Sequence, residues 1–116
     1  MTLQECYAAL GGDYAEVSGR LKKEEMIFHF VRMFVQEDML SKLKNAMASG
    51  DVQAAFRAAH SLKGNCMSLG FTSLLKTAAA VMEPLRNGDL AGAAEQLEPL
   101  EREYERSVHL IVQLGA

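Results

Sequence analysis

Tryptophan is absent from the chain, and proline and cysteine occur only twice each in 116 residues. No apolar run approaches the roughly 18 residues that a membrane-spanning helix needs. The N-terminal stretch MTLQECYAAL lacks a basic segment followed by an apolar one, so we expect no signal peptide. The 12 lysines and arginines are outnumbered by 15 acidic residues, and the net charge is −3. This balance favours neither a nucleic-acid partner nor an anionic membrane partner.

The two cysteines limit the possible thiol chemistry. Cys6 and Cys66 allow at most one disulfide, and neither belongs to a C-x-x-C pair. We therefore expect a cytoplasmic protein with free thiols, Cys66 being a packed one. A Gly-rich phosphate loop with the G-x-x-x-x-G-K-[ST] pattern is also missing. The chain is thus not expected to bind ATP or to phosphorylate itself.

A metal site is not expected either, because the Glu-x-x-His spacing of di-metal helical bundles occurs at neither His29 nor His109. Each of these histidines instead follows a glutamate by four residues, Glu25 and Glu105 respectively. That spacing is typical of ordinary pairing on a helix surface. We assign no cofactor to the chain.

What the chain does contain is helical periodicity from end to end, with 49% hydrophobic and 23% charged residues. Three turn signals pair a glycine with an aspartate that suits the N-cap of the next helix. They are Gly11-Gly12-Asp13, Ser49-Gly50-Asp51 and Asn87-Gly88-Asp89. Thr2 with Glu5, and Asp13 with Glu16, have capping-box spacing. We expect short helices over 2–10 and 13–21, and longer ones over 23–49, 51–69, 71–87 and 89–114.

Two of the long segments contain irregularities. In 23–49 the apolar stripe changes phase, which predicts a kink or break near Gln36–Met39. Pro84 and Pro99 fall within helical patterns and should kink or interrupt their helices. Short turns between four long amphipathic helices predict an all-α fold: an antiparallel four-helix bundle with one or two short N-terminal helices. Residues 1–116 are expected to form a single domain.

The helix predicted over 51–69 carries the residues of greatest chemical interest. Its apolar positions are spaced by three and four, which defines a buried stripe: Val52, Ala55, Ala59, Leu62, Cys66 and Leu69. His60 lies about 130° from the centre of that stripe, at 100° per residue, and should face outward. Lys63 and Gly64 follow it at i+3 and i+4 on the same face.

An exposed imidazole flanked in this way suits phosphoryl chemistry. His60 is a candidate nucleophile toward an activated phosphoryl group, and Lys63 would offset the phosphoryl charge. Gly64 costs about 1 kcal/mol relative to alanine inside a helix, and we interpret it as clearance for an incoming protein. Phe56, Arg57 and Met67 are assigned to partner docking, although Phe56 and Met67 would equally suit a half-buried bundle edge.

A short motif on this helix resembles the H-x-L-K-G-x-x-x-x-x-G signature of histidine-containing phosphotransfer (HPt) domains. It consists of His60-Ser61-Leu62-Lys63-Gly64, preceded by Ala59 and followed by Gly70. The order of the predicted helices is similar to that of small free-standing bacterial members. Asn65 departs from the pattern, because a smaller residue is common after the glycine. We expect that difference to tune the partner surface.

The resemblance implies a phosphoryl carrier of a two-component phosphorelay, not an enzyme. His60 would carry the phosphoryl group on Nε2, exchanging it with aspartates of response-regulator receiver domains that supply Mg²⁺. The other implied partner is a hybrid histidine kinase; no nucleic acid or membrane is implied, and a monomer is expected. The alternative is a non-phosphorylated helical adaptor that binds receiver or other signalling domains.

Overall fold

The computed structural model describes residues 1–114, and within this range the regular secondary structure is entirely helical. The prediction of an all-α chain is therefore confirmed. The eight helices are α1 (Leu3–Leu10), α2 (Tyr14–Leu21), α3 (Glu24–Glu37), α4 (Met39–Ala48), α5 (Val52–Leu69), α6 (Thr72–Arg86), α7 (Leu90–Glu95) and α8 (Leu97–Val112). Within the same range, no helix has the length and apolar character needed to cross a membrane.

The helices that were expected over 23–49 and 89–114 are each divided in two. Asp38 separates α3 from α4 with a left-handed backbone (φ 46°), and its carboxylate accepts a hydrogen bond from the Ser41 amide at 3.4 Å. This break lies inside the segment where the phase change predicted it. Gln96 separates α7 from α8. An unbroken helix over 89–114 is therefore wrong.

The two prolines act differently because of their positions. Pro99 occupies the first turn of α8, where a backbone N–H needs no partner within the helix. The interruption predicted at this proline is confirmed by the break just before it. In contrast, α6 continues through Pro84 to Arg86, so an interruption at Pro84 is wrong. The carbonyl left without its usual donor belongs to Ala80, which is exposed and open to water.

Most of the turn chemistry follows the sequence signals. Gly11, Gly50 and Gly88 all have φ near 73–74°, in the left-handed region. Thr2 and Glu5 form the predicted reciprocal capping box, at 2.8 and 3.1 Å. The capping carboxylates of Asp13, Asp51 and Asp89 accept amide hydrogen bonds at 3.1, 3.0 and 2.9 Å. The Glu16 carboxylate, however, pairs with Arg20 and does not complete a box with Asp13.

The core is organised around α5, which packs most extensively against α4 and α6. Helix α6 also contacts α7 and α8, while α1 packs on α8 and α2 on α3. The buried side chains join into one apolar cluster whose largest members include Tyr7, Phe71, Leu62 and Leu100. The outward face of α5 lies between these neighbours, and that face carries His60.

Candidate functional site

The first and last turns of α5 are fixed by local hydrogen bonds. At the N-terminus the Asp51 carboxylate accepts from the Ala54 amide at 3.0 Å. At the C-terminus Gly70 adopts φ 70°, and the Phe71 amide returns to the Cys66 carbonyl at 2.9 Å. This left-handed ending is one that glycine adopts without a steric penalty. The last residue of the H-x-L-K-G…G pattern therefore ends the helix that carries the histidine.

The buried stripe of α5 agrees with the predicted periodicity. Five of its six predicted apolar positions are buried: Ala55, Ala59, Leu62, Cys66 and Leu69. Ala58 is buried as well. Val52, in the first turn, is half-buried. Because this stripe turns inward, His60 and Gly64 are exposed and Lys63 is half-buried on the opposite side. A Cβ built on Gly64 would meet no atom within 4 Å beyond its own helix backbone.

The imidazole of His60 has an aromatic neighbour one turn earlier. Its ring stacks on that of Phe56, with centroids 6.0 Å apart and planes inclined by 24°. The guanidinium carbon of Arg86, the last residue of α6, lies 5.4 Å from the centroid of Phe56. Phe56 is half-buried, so both interpretations of this residue fit its position: docking contact and bundle edge.

The surroundings of His60 are more basic than the chain as a whole. Arg57 is exposed three residues before it and Lys63 is half-buried three residues after it, while Arg86 contacts Phe56, on which the imidazole stacks. Arg86 also contacts Glu83 at 3.5 Å, a surface pair that partly offsets its charge. Met67, two turns after His60, is 54% exposed, the most exposed apolar side chain on α5. The face thus combines cationic groups with an accessible apolar side chain.

The far end of α5 is held by the N-terminal helices. The Tyr7 hydroxyl donates to the Leu69 carbonyl at 2.7 Å in the protein interior. The Asp13 amide donates to the Gly70 carbonyl at 2.7 Å, and Arg20 donates to the Met67 carbonyl at 3.0 Å. These donors satisfy carbonyls that a helix C-terminus leaves without intrahelical partners.

Helix α3 borders the same face from the other side. The Asn65 amide donates to the Glu37 carboxylate at 3.4 Å, joining α5 to the end of α3. Next to this contact is an open groove of about 400 Å³, whose walls include Phe30, Met33 and Ser68. Asn65 therefore makes an interhelical contact that a smaller residue would not make.

The remaining histidines and cysteines stand apart from this arrangement. His109 pairs with the Gln113 amide at 3.0 Å, and His29 has its ring edge-on to Phe30 at 5.5 Å. Among residues 1–114 neither His109 with Glu105 nor His29 with Glu25 forms an ion pair, so the pairing expected at these two positions is not observed. Over residues 1–114 no three His, Cys, Asp or Glu side chains converge as metal ligands would.

Both thiols are free, as expected, and both are buried, which was predicted for Cys66. Burial raises the pKa of Cys66 to about 12 and also raises the pKa of Cys6. The reactive thiolate is therefore scarce at neutral pH, and neither cysteine belongs to the His60 face.

Sequence comparison agrees with the geometry. The family model described as "Hpt domain" matches residues 29–109, which include all of α5 and the face around His60. No curated protein and no solved structure gave a significant match. The match covers well over half of the chain, so the protein belongs to the HPt family, whose domains carry phosphoryl groups in two-component signalling and interact with receiver domains and kinases.

Two residues near the site were not found from the sequence. Arg86 lies beside Phe56 because α5 and α6 form a helical hairpin: each residue is 15 positions from Phe71, on opposite sides of the turn. Once the turn is located in the sequence, this equal spacing predicts that the two residues lie close together. Arg20 gives no such signal, because the docking of α2 on the end of α5 is a tertiary contact without a local pattern.

Proposed function

We propose that this protein is a phosphoryl carrier of a phosphorelay, with His60 as the residue that accepts and donates the phosphoryl group. The observation that carries the proposal is an exposed imidazole whose i+4 neighbour, Gly64, leaves open space. Membership of the HPt family supplies the reaction class. The donors and acceptors are aspartates of receiver domains, which bring the Mg²⁺, and a hybrid histidine kinase begins the relay.

The chemistry requires little from this chain beyond a nucleophile and its surroundings. The lone pair of Nε2 attacks phosphorus, the bond from phosphorus to the donor's carboxylate oxygen breaks, and that oxygen keeps the electron pair. The proton on Nδ1 stays in place. Lys63, half-buried and one turn away, offsets the charge that arrives with the phosphoryl group. Catalysis comes from the receiver, so the chain is a carrier and not an enzyme.

A receiver domain docks on the face around His60, with Phe56, Arg57 and Met67 among its contacts. Met67 offers exposed apolar area, and Arg57 offers a cation in a chain of net charge −3. Gly64 permits close approach because no side chain projects from it. The proposal places these residues on a monomeric single domain in the cytoplasm, where its free thiols would stay reduced.

The helix contacts support an antiparallel four-helix bundle as the scaffold. In this arrangement α3 with α4 forms one member and α7 with α8 forms another, while α5 and α6 are the remaining two. The breaks at Asp38 and Gln96 then divide members of the bundle without ending them. Helices α1 and α2 cover one end.

The direct experiment is incubation with a phosphorylated receiver domain, followed by mass spectrometry under alkaline conditions. Phosphate that is stable to base and labile to acid should appear on His60 and disappear in His60→Gln. The matched controls, His29→Gln and His109→Gln, should accept phosphate normally. Phosphate retained by His60→Gln would contradict the assignment. Receiver binding without any phosphate transfer would favour the helical adaptor.

A further inference from the structure

The ring of Phe56 has two partners that belong to different helices. The imidazole of His60, on the same helix, stacks on it at 6.0 Å with an inclination of 24°. The guanidinium of Arg86, from the end of α6, lies 5.4 Å from its centroid. Arg86 is oriented in turn by Glu83, whose carboxylate lies 3.5 Å from its Nε. An exposed histidine is thereby connected through an aromatic ring to a second helix.

This arrangement affects the direction of the nucleophile. The torsion that turns an imidazole about its Cβ–Cγ bond has broad minima, so an exposed histidine ring samples many orientations. The lone pair of Nε2 lies in the plane of the ring, and the ring orientation therefore decides where that lone pair points. Nearly parallel stacking on Phe56 limits the rotation. Alignment of a nucleophile before attack lowers the entropic part of a reaction barrier.

We propose that Phe56, supported by Arg86, is a positioning residue that orients the His60 imidazole for attack on phosphorus. This inference rests on the proposed function of His60. It differs from partner docking, because orientation of the ring affects reaction with any phosphoryl donor, including one too small to contact a docking surface. A docking role affects only transfer from a protein.

The chain contains its own matched comparison. Arg32 lies over the ring of Phe28 at 5.4 Å, the same distance as between Arg86 and Phe56. Both phenylalanines are half-buried, but Phe28 belongs to α3 and is not stacked on His60. Phe28→Leu therefore reproduces the loss of packing and of the cation–aromatic contact without touching the proposed site.

The first measurement uses the ring-proton NMR signals of the three histidines in Phe56→Leu and Phe28→Leu. Protons above an aromatic face are shielded, so the His60 signals should move downfield when Phe56 is replaced. The His109 signals should stay in place in both variants. Unmoved His60 signals in a folded Phe56→Leu protein would overturn the inference, because no stacking would then exist to orient the ring.

The second measurement is the rate of phosphorylation by phosphoramidate, with no receiver present. The bond from Nε2 to phosphorus forms, the P–N bond of the reagent breaks, and ammonia leaves. Aromatic pairs are favoured by an amount that corresponds to about a two- to tenfold preference for the stacked orientation. We expect Phe56→Leu to be slower by about that factor and Phe28→Leu to react at the wild-type rate.

Arg86→Gln keeps the test valid if Phe56→Leu fails to fold, because Arg86 is exposed. We expect it to shift the His60 signals in the same direction and to slow the reaction about twofold, whereas Arg32→Gln changes neither. Slower transfer from a receiver with an unchanged phosphoramidate rate would mean that Phe56 is a docking contact only, and would overturn the inference. A wild-type protein phosphorylated by neither donor would contradict the proposed function itself.

Discussion

Gly64 lies inside α5 and Gly70, six residues later, ends that helix, and the two glycines have opposite surroundings. A Cβ on Gly64 would meet nothing within 4 Å beyond the backbone of its own helix. A Cβ on Gly70 would come within 2.8 Å of the Asp13 carbonyl oxygen, and the backbone there has φ 70°. The first glycine is therefore dispensable for the fold, whereas the second is required by it. The two positions give predictions of opposite sign.

Replacing Gly64 should raise stability and lower activity. Gly64→Gln should raise the free energy of unfolding by several tenths of a kcal/mol to about 1 kcal/mol, because glutamine is the better helix former. Its side chain would stand one turn from His60, so phosphotransfer should slow. Gly64→Ala should be as stable, with a smaller loss of rate. Melting temperature and transfer rate measured on the same samples decide this, and a destabilised Gly64→Gln would contradict the clearance role.

Replacing Gly70 should lower stability. Gly70→Ala imposes a left-handed backbone on a residue with a Cβ, at a cost of about 1–2 kcal/mol, in addition to the contact with Asp13. Chemical denaturation should show this loss. Gly50→Ala is the control, since Gly50 also has a positive φ but has open space around it. This variant should lose only the free energy that the left-handed backbone costs. Equal losses of stability in the two variants would show that the backbone at Asp13 moves away from the new Cβ without a cost in free energy.

Lys63 should matter for transfer and little for folding. A charge-assisted contact of a half-buried lysine with phosphate contributes about 1–2 kcal/mol, so Lys63→Ala should slow transfer about five- to thirtyfold. Lys44→Ala is the matched control, because it also removes one positive charge but pairs with Glu101 on α8. Stopped-flow or gel-based transfer assays measure the ratio. An unchanged rate in Lys63→Ala would mean that Lys63 is only a helix-surface residue.

The Tyr7 hydroxyl should contribute measurably to stability. Tyr7→Phe removes the donor to the Leu69 carbonyl and leaves that buried oxygen without a partner, at a cost of about 1–3 kcal/mol. Tyr14→Phe is the control, because Tyr14 packs on Tyr7 with ring centroids 5.4 Å apart and is only half-buried. Its effect should stay within about 0.5 kcal/mol. Urea denaturation compares the two, and equal effects would count against the buried hydrogen bond.

Stability should fall at alkaline pH. The Cys66 thiol titrates near 9.0 in an unfolded chain, but burial raises its pKa to about 12 in the folded protein. Below pH 9 both states hold the proton and nothing changes. Above it the unfolded state has released a proton that the folded state keeps, so the free energy of unfolding falls by up to about 1.4 kcal/mol per pH unit.

Denaturation curves at several pH values between 8 and 10.5 measure this slope. Cys66→Ala should have a shallower slope than the wild type, whatever its stability at pH 8. Tyr7 and Tyr104, whose pKa values are also raised chiefly by burial, should steepen both curves near the upper end. Identical slopes for the two proteins would contradict the assignment to Cys66.

Local signals in the sequence predicted a large share of the fold. The aspartate caps, the left-handed glycines and the break at Asp38 depend on residues within a few positions of one another, and all are found. The sequence left both a kink and an interruption open at Pro84, and only the interruption is excluded, because the outcome depends on which carbonyl loses a donor. Ala80 is an exposed residue, a position at which solvent can replace the lost donor, and the helix continues to Arg86.

In the candidate site, too, the sequence predicted what depends on one helix and missed what depends on contacts between helices. His60, Lys63 and Gly64 lie on one helix, so periodicity alone placed them on an outward face. The contact of Arg86 with Phe56 and that of Asn65 with Glu37 depend on how helices pack, which periodicity does not give. The roles of the site residues remain predictions for the experiments above.

Because of the hydrogen bonds that the N-terminal helices donate to the end of α5, the segment that folds is longer than the segment that the family model matches. The family match begins at residue 29, inside α3, whereas Tyr7 and the Asp13 amide supply donors to the last carbonyls of the histidine helix. A fragment excised at the boundary of the match would lose both donors and part of α3. Fusion proteins or minimal relay modules built from this chain therefore need the residues from Thr2 onward, although the shared signature starts much later.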